Sequence, residues 1–287
     1  MVYSPLNLAM LQFCAGNEPQ ANLERIAMLC RHLSQPVDLI VLPECAFIRG
    51  TREAMRAQAQ IMTPDNPVLR FFGTTARRFR AWLLAGSMIE KTKDGHFYNT
   101  ALLFSPSGNL HVRYRKTHLF RVNLGSGKLV DERHLYEAGN QLVMTEIRGW
   151  QTGLAMCYDL RFPEVFRAFR RAGAHLFLVI SNFTQGNSPE HWEMLNRVRA
   201  LENQCFLVNV NQVGGGVGES FPSCGESMVV GPWGEVICRA PYSAEGLWYA
   251  TLDPRQLQRT RERIAPLTHI PYPPPRLVRV PPDVKNR

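Results

Sequence analysis

Three residues of this 287-residue chain carry the means for nucleophilic chemistry, and each stands at the end of an apolar or strand-like run. Glu44 ends VDLIVLPE, Lys116 follows VRYR, and Cys157 ends TGLAMC. Buried strands seldom end on ionisable groups without partners, because desolvating a lone charge costs several kcal/mol. The three groups are therefore candidates for one another's partners. A carboxylate, an ammonium and a thiol in one place make a nucleophile with its base and its electrostatic stabiliser. The glutamate takes the thiol proton, and the lysine holds thiolate and oxyanion charge. Residue by residue there is a plainer alternative, a surface ion pair plus a small core cysteine, and spacing alone leaves both open.

Other chemistries fit the sequence less well. GSGKL at 125–129 has no Ser or Thr after its lysine, and Val122 stands where a phosphate loop needs its first glycine. The glycines at 214–216 lack dinucleotide-binding spacing and are expected to form a flexible loop. Eight scattered histidines without an HExxH pair give no metal site. Seven cysteines, an odd number without CxxC pairs, match neither a zinc ribbon nor a disulfide framework, and point to a reducing, cytoplasmic compartment.

The formal charge of +9 is spread out. Its densest clusters, Arg77/Arg78/Arg80 and Arg167/Arg170/Arg171, are short and lack interleaved stacking residues, so no nucleic-acid partner is expected. No run approaches the roughly 20 apolar residues of a membrane span, and the first residues lack a basic region and a cleavage site. With 45% apolar and 20% charged residues, the chain is expected to be a soluble, folded protein.

The elements that must position the three residues interleave along the chain. Continuous or alternating apolar runs predict strands at LNLAMLQF, VDLIVLP, AWLLAGSMIE, FYNTALLFSPSGN, AHLFLVIS, CFLVNVNQV and GLWYATLD, with hairpins in LVMTEIRGWQTGLAMC and ESMVVGPWGEVICRA. Period-3.6 segments predict helices at 21–33, 71–81, 163–173, 188–204 and 253–264. The Thr-, Arg- and Pro-rich stretch after Glu44 is expected to be a loop. Alternation of this kind predicts a layered α/β or α+β fold without a linker or repeat. Residues 1–270 are expected to form a single domain, followed by a Pro-rich tail at 271–287.

LPECAF around Glu44, YRKTHLF around Lys116 and CYDLRFPE around Cys157 occur in the order and context of the signature segments of the nitrilase superfamily of carbon–nitrogen hydrolases. The resemblance continues through HWEMLNRVRALENQ and SMVVGPWGEV, spanning about residues 6–264 by eye. It implies a four-layer α-β-β-α sandwich with a Glu–Lys–Cys triad, no metal or organic cofactor, and a homodimer or higher homo-oligomer. It makes Glu44 the general base, Lys116 the stabiliser of the tetrahedral intermediate, Cys157 the acylated nucleophile, and the Tyr158 backbone N–H an oxyanion donor. Of the two glutamates in DERHLYEAG, the resemblance favours Glu132 over Glu137 as a second carboxylate orienting Lys116.

Arg161 has two roles open to it, a structural partner for Asp159 or Glu164, placed slightly ahead, or a guanidinium fork for a substrate carboxylate. Asn182 and Phe183 are expected at the pocket wall, whereas His191 and Trp192 fit helix packing equally well. CYDLRFPE, HWE and RALENQ most resemble omega-amidases and related small-amide amidases, which act on monoamides of dicarboxylic acids. An N-carbamoyl hydrolase is the alternative. A nitrilase fits less well, since Cys157-Tyr158-Asp159 replaces the Cys-Trp-Glu segment, and a non-catalytic binding protein would be expected to lose triad residues.

Overall fold

The structure is a computed structural model describing residues 4–123, 129–184, 189–218, 221–264 and 266–268. Most of the GSGKL segment and the Pro-rich tail lie outside the described residues. The first half runs β1 (Leu6–Gln12), α1 (Pro19–Arg31), β2 (Leu39–Val41), α2 (Arg52–Ala57), α3 (Pro67–Phe79), β3 (Trp82–Lys91), β4 (Phe97–Phe104) and β5 (Leu110–Arg115). A small hairpin of β6 (Arg121–Asn123) and β7 (Leu129–Asp131) follows. The second half runs β8 (Val143–Ile147), β9 (Trp150–Met156), α4 (Pro163–Arg171), β10 (Leu176–Ser181), α5 (Pro189–Asn203) and β11 (Phe206–Asn211). It ends with β12 (Val213–Gly214), β13 (Ser223–Cys224), β14 (Met228–Val230), β15 (Val236–Arg239), β16 (Gly246–Leu252) and α6 (Pro254–Arg263).

Two six-stranded sheets carry the molecule, in the orders β16-β1-β2-β3-β4-β5 and β15-β14-β11-β10-β9-β8. Each has three parallel central strands flanked by antiparallel ones. The period-2 alternation of side chains divides the first sheet between two cores. Leu6, Leu8, Met10, Leu39, Val41 and Leu84 belong to the core shared with the second sheet. Ala9, Leu11, Ile40, Leu83 and Ala85 point the other way, onto Leu23 and Ile26 of α1 and Leu69, Phe72 and Ala76 of α3. On the far side of the second sheet, Phe177 of β10 meets Phe166 and Phe169 of α4. The order of layers is helix, sheet, sheet, helix, as the resemblance implies. Burial on both faces is why VDLIVLP and AHLFLVIS read as continuous apolar runs.

Local differences from expectation have local causes. The strand beginning at Phe97 stops at Phe104, and residues 105–109 form the turn into β5, closed by Ser105 N–H to Asn109 O at 2.9 Å. Helix α3 starts at Pro67 because Asn66 caps it: Asn66 Oδ1 accepts from Val68 N–H at 2.9 Å and Leu69 N–H at 3.2 Å. The expected loop after Glu44 contains α2, capped by Thr51, whose Oγ1 accepts from Ala54 N–H. Gly214, expected in a flexible loop, pairs with Ser223 in the β12–β13 ladder.

Candidate active site

Glu44, Lys116 and Cys157 all follow the C-terminal ends of strands. β3 is parallel to β2, β4 antiparallel to β3, and β5 antiparallel to β4. Hence β2 and β5 run the same way and release Glu44 and Lys116 at one edge of their sheet. β9 and β10, parallel neighbours in the other sheet, release Cys157 and Asn182 together. The two edges join where Asn182 N–H donates to Glu44 Oε2 at 2.8 Å. Convergence on the carboxyl ends of parallel strands is the general location of α/β sites.

Glu44 is 2% exposed and fully engaged. Its Oε1 accepts from Lys116 Nζ and Asn99 Nδ2, both at 2.9 Å, while its backbone carbonyl accepts from Gln212 Nε2 at 2.8 Å. Gly86 makes this placement possible: a Cβ there would lie 1.5 Å from the Pro43 carbonyl oxygen. β3 bulges at that point, and Ser87 Oγ accepts from Cys45 N–H at 2.9 Å.

Lys116, 1% exposed, lies between two carboxylates, with Glu132 Oε1 3.0 Å from Nζ and Oε2 2.9 Å. Burial alone would lower its basicity, but the charges of Glu132 and Glu44 prevail and raise it well above the usual lysine range. It is an ammonium at every pH of interest. Glu132 accepts a further bond from Phe120 N–H at 2.7 Å. Its pKa is raised above the usual glutamate range, chiefly through burial, with the Lys116 charge opposing and the Glu44 charge adding. Glu137 is elsewhere, exposed and paired with His96.

Cys157 adopts φ 44°, a left-handed conformation that an L side chain holds only when its surroundings enforce it. It begins the single helical turn Cys157–Arg161 and is 8% exposed. Burial first, then the negative charges of Glu44 and Glu132, push its thiol well above the usual cysteine range, with Lys116 and the Asn182 N–H pulling the other way. At rest it is a neutral thiol, so its attack on an electrophile requires a base at that moment, and the Glu44 carboxyl group lines the same cavity.

A cavity of about 400 Å³ opens over these groups. Glu44, Lys116, Glu132 and Cys157 line it, as do Tyr158, Arg161, Asn182 and Phe183, so every site residue expected from sequence reaches one cavity. The structural partners expected for Arg161 are not the ones it has. Asp159 is bonded to Tyr114, Thr117 and His118, and Arg161 instead meets His191 Nδ1 at 3.2 Å and lies over the Phe183 ring at 5.6 Å. Among the described residues Arg161 has no carboxylate partner, which leaves its guanidinium in the cavity wall without an acid. Trp192 packs inside, its Nε1–H on Glu226 O at 2.9 Å, whereas His191 holds Arg161 rather than the helix core.

Sequence reasoning missed Asn99, Arg49, Arg52 and Phe120 in the cavity wall. For Asn99 a signal existed, an amide inside the apolar strand FYNTALLF, and Phe120 ends the YRKTHLF segment around Lys116; Arg49 and Arg52 stand in a segment without pattern. Among the described residues no group of three His, Cys, Asp or Glu is placed to hold a metal ion. Among the described residues no helix is long and apolar enough to cross a membrane.

The family model described as carbon-nitrogen hydrolase matches residues 7–262. A deaminated glutathione amidase of Yersinia enterocolitica is 33% identical over 84% of this chain and 85% of its own. Omega-amidase NIT3 of Saccharomyces cerevisiae is 30% identical over 92% of both chains. The crystal structure of yeast Nit3, described as a member of branch 10 of the nitrilase superfamily, matches with a TM-score of 0.83 at 28% identity, over 91% of this chain and 95% of that one.

Proposed function

Since this chain belongs to the carbon–nitrogen hydrolase family of the nitrilase superfamily and is an amidase of small, non-peptide amides, we propose that Cys157, Glu44 and Lys116 are its catalytic residues and a dicarboxylic acid monoamide its substrate. The observation carrying this is a buried thiol, held at a left-handed turn, in one cavity with an ammonium clamped between two carboxylates.

In the first half-reaction Cys157 Sγ attacks the amide carbon as Glu44 takes the thiol proton. The oxygen of the resulting tetrahedral adduct gains negative charge, met by the Lys116 ammonium and the Tyr158 N–H. Glu132 keeps Lys116 oriented. The C–N bond then breaks, Glu44 returns its proton to the leaving nitrogen, and ammonia departs from a thioester. In the second half-reaction Glu44 takes a proton from water, the hydroxide adds to the thioester, and the acid leaves as the thiol is restored.

Substrate class rests on Arg161, a cavity guanidinium without an acid partner among the described residues, which suits the free carboxylate of a monoamide. The cavity is at the small end of ligand sites, consistent with a short substrate. Omega-amidase and deaminated glutathione amidase relatives point the same way. An N-carbamoyl amino acid would use the same Arg161 contact, and release of carbon dioxide with ammonia would reveal it.

We take residues 1–270 as one catalytic domain. A homodimer fits the exposed apolar residues Met194 and Leu201, seven apart on α5 and 63% and 48% exposed, with exposed Trp233 and Ile264; light scattering tests it. Seven free cysteines suit a reducing cytoplasm, tested by fractionation.

The decisive experiment scores ammonia release from C4 and C5 monoamides, carbamoyl amino acids and nitriles, with intact-mass detection of an acyl adduct on Cys157. Monoamide turnover with a thioester adduct is expected. Parent-level turnover by Cys157→Ala would overturn the mechanism.

A further inference from the structure

Asp159, two residues past the nucleophile, is 0% exposed and collects five hydrogen bonds. Its Oδ2 accepts from Met156 N–H at 2.8 Å, closing the turn that holds Cys157, and from Tyr114 Oη at 2.5 Å. Its Oδ1 accepts from Thr117 Oγ1 at 3.1 Å, His118 N–H at 3.1 Å and His118 Nδ1 at 2.7 Å. Because a carboxylate only accepts, the His118 proton on this contact resides on Nδ1. Tyr114, Thr117 and His118 surround Lys116 in the chain. One carboxylate thus grips both the nucleophile's turn and the loop bearing the ammonium, although the two belong to different sheets.

The stacking of His118 on Phe162, with centroids 3.8 Å apart, adds a second connection between loop and turn. Tyr114 and Thr117 also bond each other, Oη to Oγ1 at 3.0 Å. Lys116 itself has no direct bond to the Cys157 turn; its Nζ is committed to Glu44 and Glu132. Its distance from the reacting carbon is therefore set by what its neighbours hold.

We infer that Asp159 is a positioning residue of this hydrolase, fixing the Lys116 loop against the Cys157 turn through Tyr114, Thr117 and His118. This rests on the catalytic assignment of Lys116 and Cys157 above. Loosening the grip on the loop side alone lets the ammonium drift from the developing oxyanion while leaving the thiol, the cavity and the Arg161 wall in place. The signature is a fall in kcat with KM held, because the lost interaction is made in the transition state.

The test uses the full chain with succinamate as substrate and three variants, Asp159→Asn, Tyr114→Phe and His118→Gln. The last two spare the Met156 N–H bond and serve if the first does not fold. Turnover is normalised to the fraction of chains whose Cys157 reacts with iodoacetamide, measured by mass spectrometry. The expected result is a drop in kcat per reactive site of at least about tenfold in Asp159→Asn and Tyr114→Phe, with KM within about twofold of the parent. A merely structural role would lower the melting temperature and the reactive fraction but leave kcat per reactive site unchanged, and that result would overturn the inference. Parent-like turnover by Cys157→Ala would instead remove the catalytic assignment itself. An inactive Cys157→Ala beside fully active Asp159 and Tyr114 variants would remove only the positioning role.

Discussion

Replacing Glu44 by Gln should move two measurable rates in opposite directions. The side chain keeps its shape but loses its charge and gains a donor. Glu44 Oε1 faces the donors of Lys116 and Asn99, and Oε2 faces the Asn182 N–H. Whichever way the amide turns, its NH₂ meets a donor, which costs roughly 1–3 kcal/mol of stability. Lys116 retains Glu132, so the fold should survive. Turnover loses its general base and should fall about 10²- to 10⁴-fold.

The thiol responds in the other sense. Glu44's charge is the second largest influence holding the Cys157 thiol up, after burial. Removing that like charge lowers the pKa of the thiol. Each unit multiplies the thiolate fraction about tenfold at fixed pH, while the thiolate's nucleophilicity falls with a Brønsted slope of about 0.4–0.5. Each unit of lowering therefore leaves a net gain in alkylation of roughly three- to fourfold. The assay pairs succinamate turnover with iodoacetamide labelling of Cys157 from pH 6 to 9, a range set to about the ordinary thiol region. Turnover within tenfold of the parent (about 1.4 kcal/mol of barrier) would remove Glu44 as base. An alkylation profile displaced to higher pH would refute the electrostatic reasoning.

Glu132→Gln should lower kcat about 10²-fold and erase the acid limb that Glu132 contributes to kcat/KM. Because burial raises the pKa of Glu132, that limb in the parent should rise with pH to a plateau later than an ordinary glutamate would allow; an unchanged limb in the variant would assign it elsewhere. Arg161→Met should raise KM for succinamate at least about tenfold and leave a neutral amide nearly unaffected, and equal effects on both would deny Arg161 a carboxylate. His175 is a stability probe remote from the chemistry: burial, then Arg261 and Arg170, push it down to about 4 from 6.5. On acidification the unfolded chain takes this proton first, so stability is lost between about pH 6.5 and 4, on the order of 1–2 kcal/mol after allowance for solvent contact. Denaturant titrations of parent and His175→Asn over that range should diverge by this amount, and parallel curves would contradict it.

The amino-acid sequence by itself determined the succession of the long strands and helices, though not the short α2 or the β12–β13 ladder, because burial on one or two faces imposes a period that the order of residues displays. It also marked the chemistry: Glu44, Lys116 and Cys157 are legible as reactive groups at the ends of apolar runs, and Glu132 through its segment. Only the tertiary structure decided which groups meet. The Asn182 N–H reaches Glu44 across 138 residues, Asn99 reaches it across 55, and Asp159 binds a loop more than 40 residues away. Arg161 turned to His191, 30 residues on, rather than to its neighbours Asp159 and Glu164. Periodicity reports only whether a side chain faces inward. Which partner it finds depends on strand order, register and the packing of one sheet on the other, and these arise from contacts far apart in the chain.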